Sequence, residues 1–193
     1  YLELDFFMNK IIENIKNRRN TKNFENKDVS IEDIKTILDA GTWAPNHRDT
    51  QPWRFVVIQK NDAIREKIID GIIRLKEKDS GNKQTDEQIL SIKNSVMTKP
   101  ILIFVYSLVD ENPIITEENY GAVCCAIQNI SLAATSIGLA TGWSTGKISQ
   151  INNLEELFEL EENLKIVGVL TVGIPKPQPL KKRKKVDDIT KWI

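Results

Sequence analysis

Apolar residues recur at helical spacing in two stretches near the N-terminus. Leu4, Phe7, Met8, Ile11, Ile12 and Ile15 mark an amphipathic helix over residues 3–17. The stretch VSIEDIKTILDAG predicts a second helix, with Ser30 as N-cap, Asp33 as an acid in the first turn and Gly41 as the stop. The period then changes, and WRFVVIQ reads as a first strand. Residues 62–78 place Ile64, Ile68, Ile69, Ile72 and Leu75 on one side of a third helix, and residues 86–97 form a fourth. KDSGNKQTDEQ between them is polar and reads as a loop, a flap over residues 77–88. PILIFVYSLV starts at proline and is rich in β-branched residues, as a buried strand is. Residues 117–138 carry almost no charge and many small side chains, which predicts a long helix buried on all sides. Such a helix belongs at the centre of a domain or at a subunit interface. ATGWSTG reads as a glycine-rich turn with a short strand, LEELFEL as a short helix, and KIVGVLTVGIP as the last strong strand. The tail KPQPLKKRKKVDDITKWI leaves the core through alternating prolines and turns basic.

Helices before and between a few strands, with no internal repeat, predict one α+β domain spanning residues 1–193, ahead of a doubly wound sheet. At 40% hydrophobic and 28% charged, the composition of the 193 residues is that of a folded globular protein. Lys+Arg and Asp+Glu both number 27, so no overall field draws the chain to nucleic acid or anionic lipid. The longest apolar run is about half of the roughly 20 residues a spanning helix needs. YLELDFFMNK does not read as a secretory signal. Cys124 and Cys125 are adjacent in the uncharged helix and read as small core residues of a reducing cytoplasm, without a metal-ligand set.

The candidate chemistry lies in four places. WAPNHRDTQPW crowds two tryptophans, two prolines and the only histidine into one short polar loop. RRNTKNF, Arg18 to Phe24, offers guanidinium forks suited to phosphate. GLATGWSTG offers glycines for close backbone approach, with Ser144 and Thr145 as donors. KKRKK, Lys181 to Lys185, is a basic run without interleaved aromatics, which disfavours nucleic acid. No dinucleotide fingerprint, P-loop or nucleophile elbow occurs, and a lone histidine without a neighbouring nucleophile disfavours a hydrolytic triad. The inventory suits a held cofactor better than side-chain acid–base work.

In this order, RRNTKNF, AGTWAPNHRDTQPWRF, GLATGWSTG and IVGVLTVGIPKPQPLKKRKK resemble the FMN-dependent nitroreductase superfamily, and most of all its compact NAD(P)H nitroreductase branch. The resemblance runs over nearly the whole chain. It implies a mostly antiparallel sheet flanked by helices, an intertwined cytoplasmic homodimer, and FMN at the subunit interface. It further implies ping-pong hydride transfer from NADH or NADPH through FMN to nitroaromatics, quinones or similar small acceptors. By position, Arg18, Arg19 and Asn20 match residues that hold the FMN phosphate and ribityl chain, and Lys22 a cation at the pyrimidine edge that tunes the flavin. Trp43, Pro45 and His47 match residues reaching the flavin from the partner. Trp143, Ser144 and Thr145 match the segment along the ring's other edge, and Lys181 and Arg183 a pair that grips the phosphate. Asn20 stands where the family has serine, Asp49 where many members have asparagine, and the dense basic tail leaves Lys182 or Lys184 as alternative phosphate ligands. A narrower superfamily enzyme such as a dehalogenase, or a non-catalytic flavin-binding redox sensor, is the rival reading.

Overall fold

A computed structural model of the chain describes residues 2–179 and 181–193, with side chains described from residue 10 onward. Leu4, Phe7 and Met8, on which the first helical pattern partly rests, lie outside the described side chains.

The elements are helices α1 (Leu2–Asn17), α2 (Ile31–Thr42), α3 (Ile64–Ser80), α4 (Asp86–Met97), α5 (Pro113–Ser136) and α6 (Leu154–Leu157), with strands β1 (Trp53–Ile58), β2 (Ile101–Leu108), β3 (Ala140–Ser144) and β4 (Leu164–Gly173). The strands form one antiparallel sheet in the order β1-β2-β4-β3. Each face of β2 is covered, because its side chains alternate between two cores. Ile101, Ile103 and Val105 pack with Ile34, Ile37, Val123, Ile127 and Ile130 of α2 and α5. Leu102, Phe104 and Tyr106 pack with Ile68, Ile69, Ile92 and Leu154 of α3, α4 and α6. Burying one such Ile or Leu contributes about 1.5–3 kcal/mol, so a strand buried on both faces reads as a continuous apolar run. A register shift between Val105 and Tyr106 marks a bulge opposite β4. The extra residue puts both Val167 and Leu170 in the α5-side core, with Val169 in the other.

Several boundaries differ from the sequence pattern for identifiable reasons. Ser30 caps α2 through the Asp33 N–H, but Gly41 does not stop the helix. It lies buried inside α2, where a Cβ would come within 2.7 Å of Ile130, so its role is helix packing. The polar flap over 77–88 is mostly helical. Residues up to Ser80 belong to α3, left-handed Gly81 closes it, and Thr85 with Gln88 forms a capping box that starts α4. The uncharged helix starts at Pro113, earlier than its charge pattern indicates, and within the chain it buries one face only. Ala122, Ala126, Ile130 and Ala134 face the core, whereas Gly121, Cys125 and Gln128 are exposed. Cys125 is therefore not a core residue, and both cysteines are free thiols. Ile11, Ile12 and Ile15 of α1 are also exposed.

One buried cation fixes the base of the α3–α4 hairpin. Arg65 is fully buried, and its guanidinium donates to the carbonyls of Ile58, Gln59, Val96, Lys99 and Pro100. All five guanidinium N–H donors of arginine thus have a chemically sensible use. Burial without a bonded carboxylate pushes its pKa down to about 10, so the side chain is still charged at neutral pH.

Candidate functional site

The first candidate region forms on the free edge of β3. Beyond α1, the chain turns alongside this edge: the Thr21 N–H donates to the Thr141 carbonyl at 2.9 Å. The Asn20 side chain extends the pairing. Its Oδ1 accepts from the Trp143 N–H at 2.6 Å, and its Nδ2 donates to the Trp143 carbonyl at 3.3 Å. The Asn20 amide therefore holds Trp143 by both backbone groups, as a neighbouring strand would. Gly142 makes the approach possible, since a Cβ there would lie 2.0 Å from the Thr21 carbonyl oxygen. The Trp143 ring lies against Gly168, and its Nε1 donates to the Val167 carbonyl at 3.4 Å. Ser144 and Thr145 are exposed just beyond it.

The segment leaving β4 is laced back onto the same edge. The Glu25 N–H donates to the Ile174 carbonyl, the Lys176 N–H donates to the Asn23 carbonyl, and the Gln178 Nε2 donates to the buried Thr21 Oγ1. This lacing returns the tail to Arg18. Burial, and then the positive charges of Arg183 and Arg19, hold the Arg18 guanidinium below its ordinary pKa. No ion pair to Arg18, Arg19 or Arg183 occurs among the described residues. Three guanidinium groups crowded without a carboxylate cost energy that a bound polyanion offsets, so the donor set fits a phosphate. Lys181, with Lys182 and Lys184, is exposed in the same run.

Lys22 is exposed beside this cluster, and its carbonyl accepts from Lys99 Nζ at 2.8 Å. Lys99 is half-buried, and burial alone lowers its pKa. Together with Phe24 and Lys176, the two lysines line a cleft of about 480 Å³. The motif reading passed over Lys99. Its signal was a cation placed directly before the proline that opens an apolar strand.

The second candidate region is the loop 43–51. Trp43 is 80% exposed, and Pro45 and His47 are exposed beside it. Pro45, Asn46 and His47 line a shallow groove with Glu118, Ala122 and Cys125 of α5. Arg48, Asp49 and Gln51 all have left-handed backbone, with φ of 56°, 53° and 44°. Non-glycine residues held there cost on the order of 1–3 kcal/mol each and persist only where the surroundings impose the conformation. Here the constraints are explicit. The Gln51 N–H donates to Asn46 Oδ1 at 2.9 Å, and its Nε2 donates to Asp49 Oδ1 at 3.3 Å. Thr50 Oγ1 donates to Oδ1 of buried Asn119 at 2.8 Å, while Asn119 Nδ2 donates to the Leu108 carbonyl at 3.3 Å. Pro52 and Trp53 are buried at the start of β1 and anchor the loop to the core. Arg54 adds a bidentate pair to Glu162 at 2.6 and 2.7 Å. Asn119 and Thr50 were not anticipated, because a mid-helix asparagine has no sequence signature of a loop contact.

The structure does not bring the two regions together within one chain. The basic edge flanks β3, and the loop leads into β1, at opposite ends of the strand order β1-β2-β4-β3. Three strand spacings separate those edges by about 14 Å.

The family model described as Nitroreductase family matches residues 15–174. The nitroreductase-like family protein of Bacillus cereus superposes with a TM-score of 0.79 at 28% identity, covering 95% of either chain. An FMN-bound nitroreductase from Bacteroides fragilis gives a TM-score of 0.69 at 25% identity, covering 95% of this chain and 98% of its own. YfhC of Bacillus subtilis, provisionally named an NAD(P)H nitroreductase, is 29% identical over 90% of this chain and 89% of its own length. Iodotyrosine deiodinase of Hydra vulgaris is 31% identical over 89% of this chain and 68% of its own. The chain belongs to the nitroreductase family and, with it, to the nitroreductase-type oxidoreductases.

Proposed function

We propose that the chain acts as an FMN-dependent oxidoreductase whose site is completed by a second copy of itself, taking electrons from NADH or NADPH and passing them to small acceptors. The observation that carries this reading is the division of the site. A phosphate-shaped basic edge and a preorganised aromatic loop lie on opposite edges of one sheet, and two-fold pairing joins one chain's edge to its partner's loop. The exposed apolar face of α1 and the uncharged, small-residue face of α5 supply the surface such pairing needs, since patches of that kind are unusual on a monomer.

Bound FMN supplies the two-electron chemistry, and the protein supplies binding, orientation and charge. Arg18, Arg19, Arg183 and Lys181 hold the phosphate. Asn20 positions Trp143, so the 143–145 segment offers its backbone and hydroxyl donors along one ring edge. Lys22 stabilises negative charge at the pyrimidine edge. At an effective dielectric near 20, an ion pair at about 4 Å is worth roughly 4 kcal/mol before desolvation. Trp43, Pro45 and His47 of the partner wall the ring and exclude water. The strained backbone of that loop is fixed before binding, which limits the entropy lost when the cofactor docks.

The test combines the absorption spectrum and the solution mass of the purified protein, followed by anaerobic titration with each nicotinamide and turnover with menadione. A yellow dimer that is reduced by NADH or NADPH and reoxidised by the quinone is the expected result. A colourless monomer that ignores added FMN overturns the reading. Flavin reduction without acceptor turnover would instead identify a redox sensor.

A further inference from the structure

Between the α3–α4 hairpin and the sheet lies a cavity of about 350 Å³ with two chemically distinct halves. Its floor is apolar, built by Leu102 and Val169 of the sheet with Ile72 and Ile92 of the hairpin, all buried. Its rim carries Lys76, Lys99 and Lys147, with the hydroxyls of Ser91, Ser95 and Ser144. No acidic side chain lines it. Lys147 pairs with Asp79 outside the cavity, whereas no ion pair to Lys76 or Lys99 occurs among the described residues. An apolar floor under two cations that have no acidic partner among the described residues is complementary to a flat ring bearing a negative group. Ser144 connects this space to the site, because it follows Trp143 on the segment assigned to the ring edge of the cofactor.

We infer that this cavity selects the electron acceptor, and that the preferred acceptor is an aromatic compound carrying an anionic substituent such as a carboxylate. The ring lies over the Leu102 and Val169 floor, with its anionic group toward Lys76 and Lys99. This inference rests on the flavoenzyme reading above and names the substrate class of that site.

The experiment compares para-nitrobenzoate with para-nitrobenzyl alcohol on the FMN-loaded protein, by perturbation of the flavin spectrum and by steady-state turnover. The two compounds share ring and nitro group and differ in charge. The carboxylate binds about tenfold more tightly, the usual effect of one partly desolvated charge pair. That preference falls with added salt and collapses in Lys76→Gln and in Lys99→Gln. Lys76→Gln leaves the Lys99 contact with Lys22 intact, so it decides the matter even where Lys99→Gln folds poorly. Equal binding of the two compounds, or an unchanged preference in Lys76→Gln, overturns the inference. A variant that shifts only the KM for NADPH relative to NADH also overturns it, since the recognised anion is then the donor's phosphate. Protein that takes up no FMN refutes the flavoenzyme reading itself, whereas loaded protein without charge preference refutes only the acceptor assignment.

Discussion

The β3 edge and the 43–51 loop achieve rigidity by opposite means. At the β3 edge the backbone has no left-handed residue: residues 20–25 and 174–178 are tied in by backbone hydrogen bonds and the isolated bridges Asn20–Thr141 and Phe24–Pro175, and the unusual feature is electrostatic, a cluster of arginines without an acid. In the loop the unusual feature is the backbone, with three left-handed non-glycine residues clamped by Asn46, Asn119 and Arg54. On the proposed reading, the edge meant for a charged ligand stores its energy in like charge, and the loop meant to present rings to a second copy stores it in conformation.

The contrast can be broken from either side. The largest effect is expected at the basic edge. Arg18→Ala removes charge-assisted hydrogen bonds worth about 1.5–3 kcal/mol, so FMN affinity falls roughly ten- to a hundredfold by fluorescence titration. Because the arginines repel one another, thermal stability of the FMN-free protein is unchanged or slightly raised, and a fall in its Tm would contradict the assignment. Thr50→Val leaves Asn119 Oδ1 buried and unpaired at a cost of about 1–3 kcal/mol, lowers the Tm and frees the loop, while Thr50→Ser restores both. Equal behaviour of Val and Ser would show that the clamp does nothing. Lys22→Met lowers the flavin midpoint potential; a loss of about 1.4 kcal/mol corresponds to roughly 30 mV for a two-electron couple. An unchanged potential in fully loaded protein refutes that role.

The smallest effect concerns Glu162. The Arg54 guanidinium holds its carboxyl below the usual range, so the folded pKa is lower than the unfolded one. The stabilisation is therefore present above the unfolded pKa and is lost as pH falls through the folded value. Since both side chains are more than a third exposed, solvent screening limits the pair to about 0.2–1 kcal/mol. The Glu162→Gln variant should abolish that part of the acid dependence in thermal melts.

Much of this was legible in the chain, and the pattern of failure is physical. β2 announced itself because both faces are apolar, and α3 and α4 because their periodicity is strong. Arg18 was marked by a guanidinium fork suited to phosphate, His47 by its place among rings in a proline-stiffened loop, and Trp143 by the family resemblance. Gly41 misled because a buried glycine under Ile130 and a helix-stop glycine have the same letter. The 77–88 segment misled because solvated helix termini and polar loops share composition, and only the Thr85–Gln88 cap separates them. Low charge in α5 signals burial without saying against what, and within one chain only one face is covered. Thr21 and Asn119 were invisible because their roles lie in hydrogen bonds across 157 and 69 positions of sequence.

Arg65 has a mechanical corollary. By tying the start of α3 and the end of α4 to the sheet through five carbonyls, it makes the hairpin a cantilever, clamped at its root. At the outer end, around Ser80 to Thr85, the exposed Lys147–Asp79 pair is a restraint of less than about 1 kcal/mol. Deflection under a bulky guest is therefore concentrated at the tip, while the root keeps Lys99 at a constant bearing.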